Sequence, residues 1–100
     1  MNSFRIGFLG AGGIARAHAY ALQSLKFYYS HPPEAGLVSV SSARRESREA
    51  FAANYGFRQA QSLEDFFENR DIDTVFILGP NNVHFEHFQK ALQMPEVKRI

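Results

Sequence analysis

Phe4-Arg5-Ile6-Gly7-Phe8-Leu9-Gly10-Ala11-Gly12-Gly13-Ile14-Ala15 says more about the fold than any other part of the chain. Phe4 to Gly10 is short and apolar, as expected of a strand buried on both faces of a parallel sheet. Four of the seven glycines of the chain fall between Gly7 and Gly13, directly after that strand. Gly10 to Ala15 then fits G-x-G-x-x-A and opens an Ala-rich segment with helical spacing. The pattern alone is weak, but strand before and helix after is the context a dinucleotide-binding turn requires. The small residues serve different ends. Gly10 permits the tight turn, Gly12 lets a pyrophosphate approach the backbone, and Ala15 lets helix and strand pack closely. The N–H groups at Gly13 and Ile14 lie at the positive end of the helix and suit an anion. A P-loop is excluded because Gly-Ile-Ala stands where Gly-Lys-Ser/Thr is needed. A methyltransferase-like loop is disfavoured because Phe8 and Leu9 precede the glycines instead of an acid.

Outward from this turn, strands and helices alternate. Ile14 to Leu25 reads as a helix carrying Ile14, Ala17, His18, Ala21, Leu22 and Leu25 on one face. Lys26 to Gly36, with its tyrosines, prolines and glycine, reads as a loop. Leu37 to Ser41 is a second strand, and Arg45 to Tyr55 a helix closed by Gly56. Phe57 to Gln61 reads as a short strand, and Ser62-Leu63-Glu64-Asp65 as the capped start of another helix. Thr74 to Leu78 is the clearest strand, β-branched and aromatic. Gly79-Pro80-Asn81-Asn82 breaks it, and either asparagine suits the cap of a helix from His84 to Gln93 with His84, Phe88, Ala91 and Leu92 along its stripe. Val97 to Ile100 reads as the opening of a further strand. Such alternation implies an α/β fold, a Rossmann-type doubly wound parallel sheet with right-handed crossovers.

Composition narrows the function. Apolar residues make up 45% and charged residues 21%, the balance of a globular domain and not of a disordered chain. The formal net charge of +1 offers no broad attraction for nucleic acid or anionic membrane. No apolar run approaches the roughly 20 residues of a membrane span. Met1 to Arg5 runs straight into the first strand without an apolar leader segment. Without cysteine, disulfides, thiolate nucleophiles and Cys-based zinc sites are excluded, and a cytoplasmic location is expected. His84 and His87 are three apart but have no third ligand in view, and His18 and His31 add none, so no metal site is expected.

Two further positions bear on a cofactor. The residue ending the second strand meets the adenosine ribose: an acid binds the 2′-hydroxyl of NAD, whereas a small polar residue with arginine nearby accepts the 2′-phosphate of NADP. Here Ser41-Ser42-Ala43-Arg44-Arg45 stands about 30 residues beyond Gly12, with no acid. Ser42 with Arg44 or Arg45 favours NADP over NAD. The turn Gly79 to His84 leaves the carboxyl edge of the sheet, where ligands of open α/β sheets bind.

Taken in order, these motifs resemble the N-terminal domain of the Gfo/Idh/MocA oxidoreductases. Phe4 to Ala15 resembles the family's opening strand and glycine turn. Val38 to Ala52 resembles its second strand and following helix, with Ser42 at the acidic-or-serine position and Tyr55-Gly56 at the helix end. Asp71-Ile72-Asp73-Thr74-Val75 and Pro80-Asn81-Asn82-Val83-His84 resemble its "D-x-D-x-V" and "P-N-x-x-H" segments, with Gly79 in place of the commoner Thr or Ser. The resemblance implies an NAD(P)-dependent dehydrogenase acting on a sugar, cyclitol or related polyol. Residues 1–100 would be its N-terminal dinucleotide-binding domain, incomplete at its C-terminal end, followed by an α+β substrate domain that also makes a homo-oligomer interface. It also implies that Pro80, Asn81 and His84 lie along the nicotinamide side, and that the catalytic lysine of a Glu-Lys-Pro motif falls beyond Ile100. A non-catalytic NAD(P)-binding regulator or sensor of the same fold is the alternative expectation.

Overall fold

The computed structural model describes residues 3–100. Met1 and Asn2, read with the stretch that runs into the first strand, lie outside the described residues.

Strand β1 (Ser3–Leu9) sits inside a four-stranded sheet and pairs in parallel with β2 (Glu34–Ser41) on one side and β4 (Thr74–Ile77) on the other. The short β3 (Gln59–Gln61) extends β2, so the order is β3-β2-β1-β4. The chain therefore runs outward from β1 through β2 to β3, then crosses back to the other side of β1. That reversal, between β1 and β4, is the topological switch point at which open α/β sheets bind ligands.

Helices cover both faces. On one side α1 (Gly13–Tyr28) and α2 (Arg45–Tyr55) bring Ala15, Ala19, Phe51 and Ala52 onto Ile6, Phe8 and Val40. Phe8 is fully buried, with ring centroids 5.0 Å from Phe57, 5.2 Å from Phe76 and 6.2 Å from Phe51. Burying one such side chain stabilises by roughly 1.5–3 kcal/mol. On the other side α3 (Leu63–Phe67) and α4 (His84–Leu92) set Phe66 and Ala91 against Leu9, Val38, Ile72 and Val75. Two cores with one sheet between them define the doubly wound α/β class.

Tertiary contacts move several boundaries from their sequence reading. Helix α1 runs on through Lys26, Phe27 and Tyr28, which had read as loop, and Glu34 to Gly36 join β2. The buried positions of α1 are Ala15 and Ala19, whereas Ile14 is 58% exposed. The wider apolar set of Ala17 and Ala21 is also exposed, because the sheet meets only a narrow line of the helix. Ser62 does cap α3, its Oγ accepting from the Asp65 N–H at 3.2 Å. Neither Asn81 nor Asn82 caps α4; both belong to a 3₁₀ turn, Asn81–Val83, that leads into it. The buried stripe of α4 is His87 and Ala91, while Phe88 and Leu92 are exposed. Val97 to Ile100 makes one parallel bridge, Arg99 to Thr74, beside the outer edge of β4.

Asp73 fastens this arrangement. Its carboxylate accepts from the Arg5 backbone N–H at 2.9 Å and the Thr74 hydroxyl at 2.9 Å. Arg5 and Arg99 guanidinium groups stand 3.5 and 3.6 Å away. Burial alone would raise this carboxyl, but the two hydrogen bonds and the two arginines outweigh it and hold it below the ordinary aspartate value.

Candidate functional site

A cleft of about 600 Å³ opens across the carboxyl ends of β1, β2 and β4. Three segments build most of it, namely the glycine turn, the end of β2 with the start of α2, and the turn after β4, with Leu63 of α3 and His87 of α4 completing the lining. Its floor and walls are mostly apolar or backbone, with a few polar groups converging on it, as small-molecule sites commonly are.

The glycine turn needs its glycines for two different reasons. Gly10 has φ +130°, and a Cβ there would lie 2.5 Å from the Leu78 carbonyl carbon. Its N–H donates to the Ser41 carbonyl at 2.7 Å, so the turn is clamped between β2 and the end of β4. Gly12 has φ −95°, which any residue adopts, and a Cβ there would meet nothing within 4 Å. The open space beside Gly12 faces the cleft and leaves backbone within reach of a ligand.

Gly12 is also the N-cap of α1, with no side-chain cap and no acidic residue in the first turn. The first N–H groups of the helix are thus unsatisfied by side chains, and the positive end of the dipole is unopposed. Arg16 adds charge nearby: its Nη2 lies 4.0 Å from where a Gly13 Cβ would stand. These donors fit a diphosphate.

The second segment carries Ser42 and Arg44 along the cleft. Ser42 Oγ donates to the Arg44 carbonyl at 3.1 Å, and Arg48 Nη1 donates to the Ser42 carbonyl at 3.0 Å. Arg45 stands apart: its Nε donates to Glu49 at 2.9 Å, and the side chain does not line the cleft. That exposed pair raises the Arg45 pKa, chiefly through the Glu49 hydrogen bond.

The third segment brings Gly79, Pro80 and Asn82 to the cleft, not Asn81. His84 turns back on its own loop, its Nε2 2.5 Å from the Gly79 carbonyl oxygen, and is not a lining residue. His87, one turn further along α4, does line the cleft. Burial lowers its pKa, with Lys90 and His84 acting in the same direction and Glu86 against it.

Of the residues expected at a cofactor, the structure thus gathers Gly10, Gly12, Gly13, Ile14, Ser42, Arg44 and Pro80 around one cavity. Ala15 lies wholly buried beneath it in the α1 core, and Arg45, Asn81 and His84 fall outside its lining. Ile14, placed on one face of α1 by its spacing and at the cofactor by its position in the turn, is part of the wall. Sequence reading missed Asn82 and His87. The signal for His87 was its spacing with Ala91 and Met94, at i+4 and i+7, which puts an imidazole on a buried stripe. Among the described residues no group of three or more acidic or histidine side chains could hold a metal ion. No helix there is long and apolar enough to cross a membrane.

A parallel sheet wound on both faces, with a glycine turn and an uncapped helix at its switch point, defines a Rossmann-type dinucleotide-binding protein. The chain belongs to the Gfo/Idh/MocA oxidoreductase family, whose NAD-binding Rossmann fold matches residues 4–95. It is 33% identical over 88 residues to glucose-6-phosphate 3-dehydrogenase of Bacillus subtilis, covering 88% of this chain and 23% of that protein. Against inositol 2-dehydrogenase of Rhizobium meliloti it is 34% identical over 90 residues, covering 87% of this chain and 25% of that protein. The chain therefore spans about a quarter of the length of these curated relatives. Levoglucosan dehydrogenase, solved in complex with NADH and levoglucosan, shares the fold with a TM-score of 0.86 at 21% identity, over 98% of this chain and 27% of that one.

Proposed function

We propose that the protein carrying this chain is an NAD(P)-dependent dehydrogenase of a sugar, cyclitol or related polyol, and that residues 1–100 belong to its N-terminal cofactor domain. The uncapped, acid-free helix start beneath Gly12 carries this reading, because it offers backbone donors and positive potential to a diphosphate. When bound, the nicotinamide supplies the hydride acceptor or donor. This chain's residues hold and orient it. Gly12, Gly13 and Ile14 bind the diphosphate, Gly10 keeps the turn close to β4, and Ile14 and Pro80 exclude water from the cleft. On this reading the catalytic lysine, the substrate domain and the homo-oligomer interface belong to the remainder of the protein. The proposed location is the cytoplasm.

At the ribose end we propose a preference for NADP. No acidic side chain lines the cleft among the described residues, and Arg44 stands on its wall next to Ser42. Arg44 is assigned the phosphate contact in preference to Arg45, which is engaged by Glu49. The substrate class draws on the relatives, whose names specify glucose 6-phosphate and inositol.

Fluorescence titration of the native protein with NADPH and NADH tests the cofactor assignment. A panel of sugars, sugar phosphates and cyclitols, followed by absorbance of the reduced cofactor, tests the reaction. Saturable binding with turnover of at least one polyol is expected. Binding without turnover across the panel would favour a sensor, and absence of binding would end the reading.

A further inference from the structure

His87 is a buried imidazole that the proposed binding of the diphosphate and adenosine ribose does not use. It is 7% exposed, and its Nδ1 has no hydrogen-bond partner among the described residues. The ring stands against the turn after β4: a Cβ on Gly79 would lie 3.5 Å from its Cε1 and 3.7 Å from its Nδ1. The ring lines the cleft beside Gly79 and Val83. Its other side rests near Phe67, with ring centroids 6.2 Å apart. A buried polar atom left unpaired is costly and calls for a partner or another physical reason.

The cleft itself indicates what that partner is. Its diphosphate donors lie at the start of α1, and the arginine at its ribose end lies at the start of α2. His87 lies on the opposite wall, beside β4, across the switch point. A dinucleotide laid over the glycine turn places its second ribose on that wall. Nδ1 of a neutral imidazole is a donor in one tautomer and an acceptor in the other. A hydroxyl serves both, since it donates and accepts. Burial lowers the pKa of this imidazole and so favours its neutral form, which suits a hydroxyl partner. The turn of the ring about χ2 that brings Nδ1 to the cleft follows a broad torsion.

We propose that His87 is a cofactor-binding residue whose Nδ1 hydrogen-bonds a hydroxyl of the dinucleotide's second ribose at the β4 side of the cleft. The assignment rests on the dinucleotide reading of the cleft and deepens it.

The test compares two probes, ADP and ADP-ribose, which differ by the second ribose. Their dissociation constants are measured by calorimetry on the native protein and on its His87→Leu and His87→Gln variants. The expected result is a loss of about tenfold in ADP-ribose affinity in His87→Leu, with ADP unchanged and with partial rescue in His87→Gln. Equal losses for both probes, or none for either, would overturn the proposal and leave His87 a packing residue. If the wild-type protein binds neither probe, the dinucleotide reading itself fails and the proposal falls with it. Should the leucine variant not fold, the imidazole ¹⁵N resonance of His87 in the wild-type protein decides: it shifts with ADP-ribose but not with ADP. A shift with both, or with neither, refutes the contact.

Discussion

Gly12→Ala adds one methyl group to the turn, at a backbone geometry alanine adopts freely and in a space with no neighbour within 4 Å. Folding should barely register it. Alanine is a poorer N-cap than glycine by about 0.5–1 kcal/mol. It also restricts the unfolded chain, which returns roughly 0.4–1 kcal/mol. For a domain of this size the two nearly cancel, and Tm should stay within about 4 °C of wild type. Binding should suffer much more. The methyl stands where a diphosphate oxygen must come to reach the helix N–H groups, and each charge-assisted bond lost is worth about 1.5–3 kcal/mol. One such loss is a weakening of about 10- to 100-fold. Fluorescence titration with NADPH and NADH, paired with thermal melting, measures both quantities on the same samples. Wild-type affinity with an unchanged Tm would show that no ligand approaches this backbone. A fall in Tm of about 10 °C or more would show instead that Gly12 serves the fold.

Gly10→Ala should do the reverse, because a Cβ would press to 2.5 Å from the Leu78 carbonyl carbon at a φ of +130°. A cost of about 3 kcal/mol or more is expected from overpacking with backbone strain, read as a large drop in Tm or in urea midpoint. Ser42→Asp combined with Arg44→Ala should move cofactor preference toward NADH by about tenfold or more in the ratio of dissociation constants; an unchanged ratio would refute the ribose-end assignment. Asp73→Asn should destabilise by about 1–2 kcal/mol, discounted because the Arg5 and Arg99 side chains are about half exposed. The folded-state pKa of Asp73 is lowered, so its contribution is present above the unfolded aspartate value near 3.9 and fades as pH falls through the folded value. Melting curves should therefore show the gap between wild type and Asp73→Asn narrowing below about pH 4, and a constant gap would sink the assignment.

The alternation of strands and helices, the parallel sheet and the glycine turn were all legible before any contact was known. Those features are local: periodicity, β-branched runs and glycine spacing act within a few residues. Helix α2 was legible end to end because Gly56 at φ +77° closes it whatever surrounds it. What stayed open depended on partners far along the chain. Glu34 to Gly36 become strand only because β1 offers Ser3, Phe4 and Arg5 as parallel partners. The inward face of α1 was ambiguous because alanines lie on several sides, and only contact with Phe8 and its neighbours selects Ala15 and Ala19. The same holds at the site. Two adjacent arginines are equivalent in sequence, but the direction of α2 turns Arg45 to Glu49 and leaves Arg44 on the cleft. Two histidines three apart are no easier to tell apart. Packing of α4 across the turn after β4 binds His84 to the Gly79 carbonyl and sets His87 in the cavity wall. Backbone chemistry could be read from glycine spacing, whereas side-chain choice waited on the angle at which each helix meets the sheet.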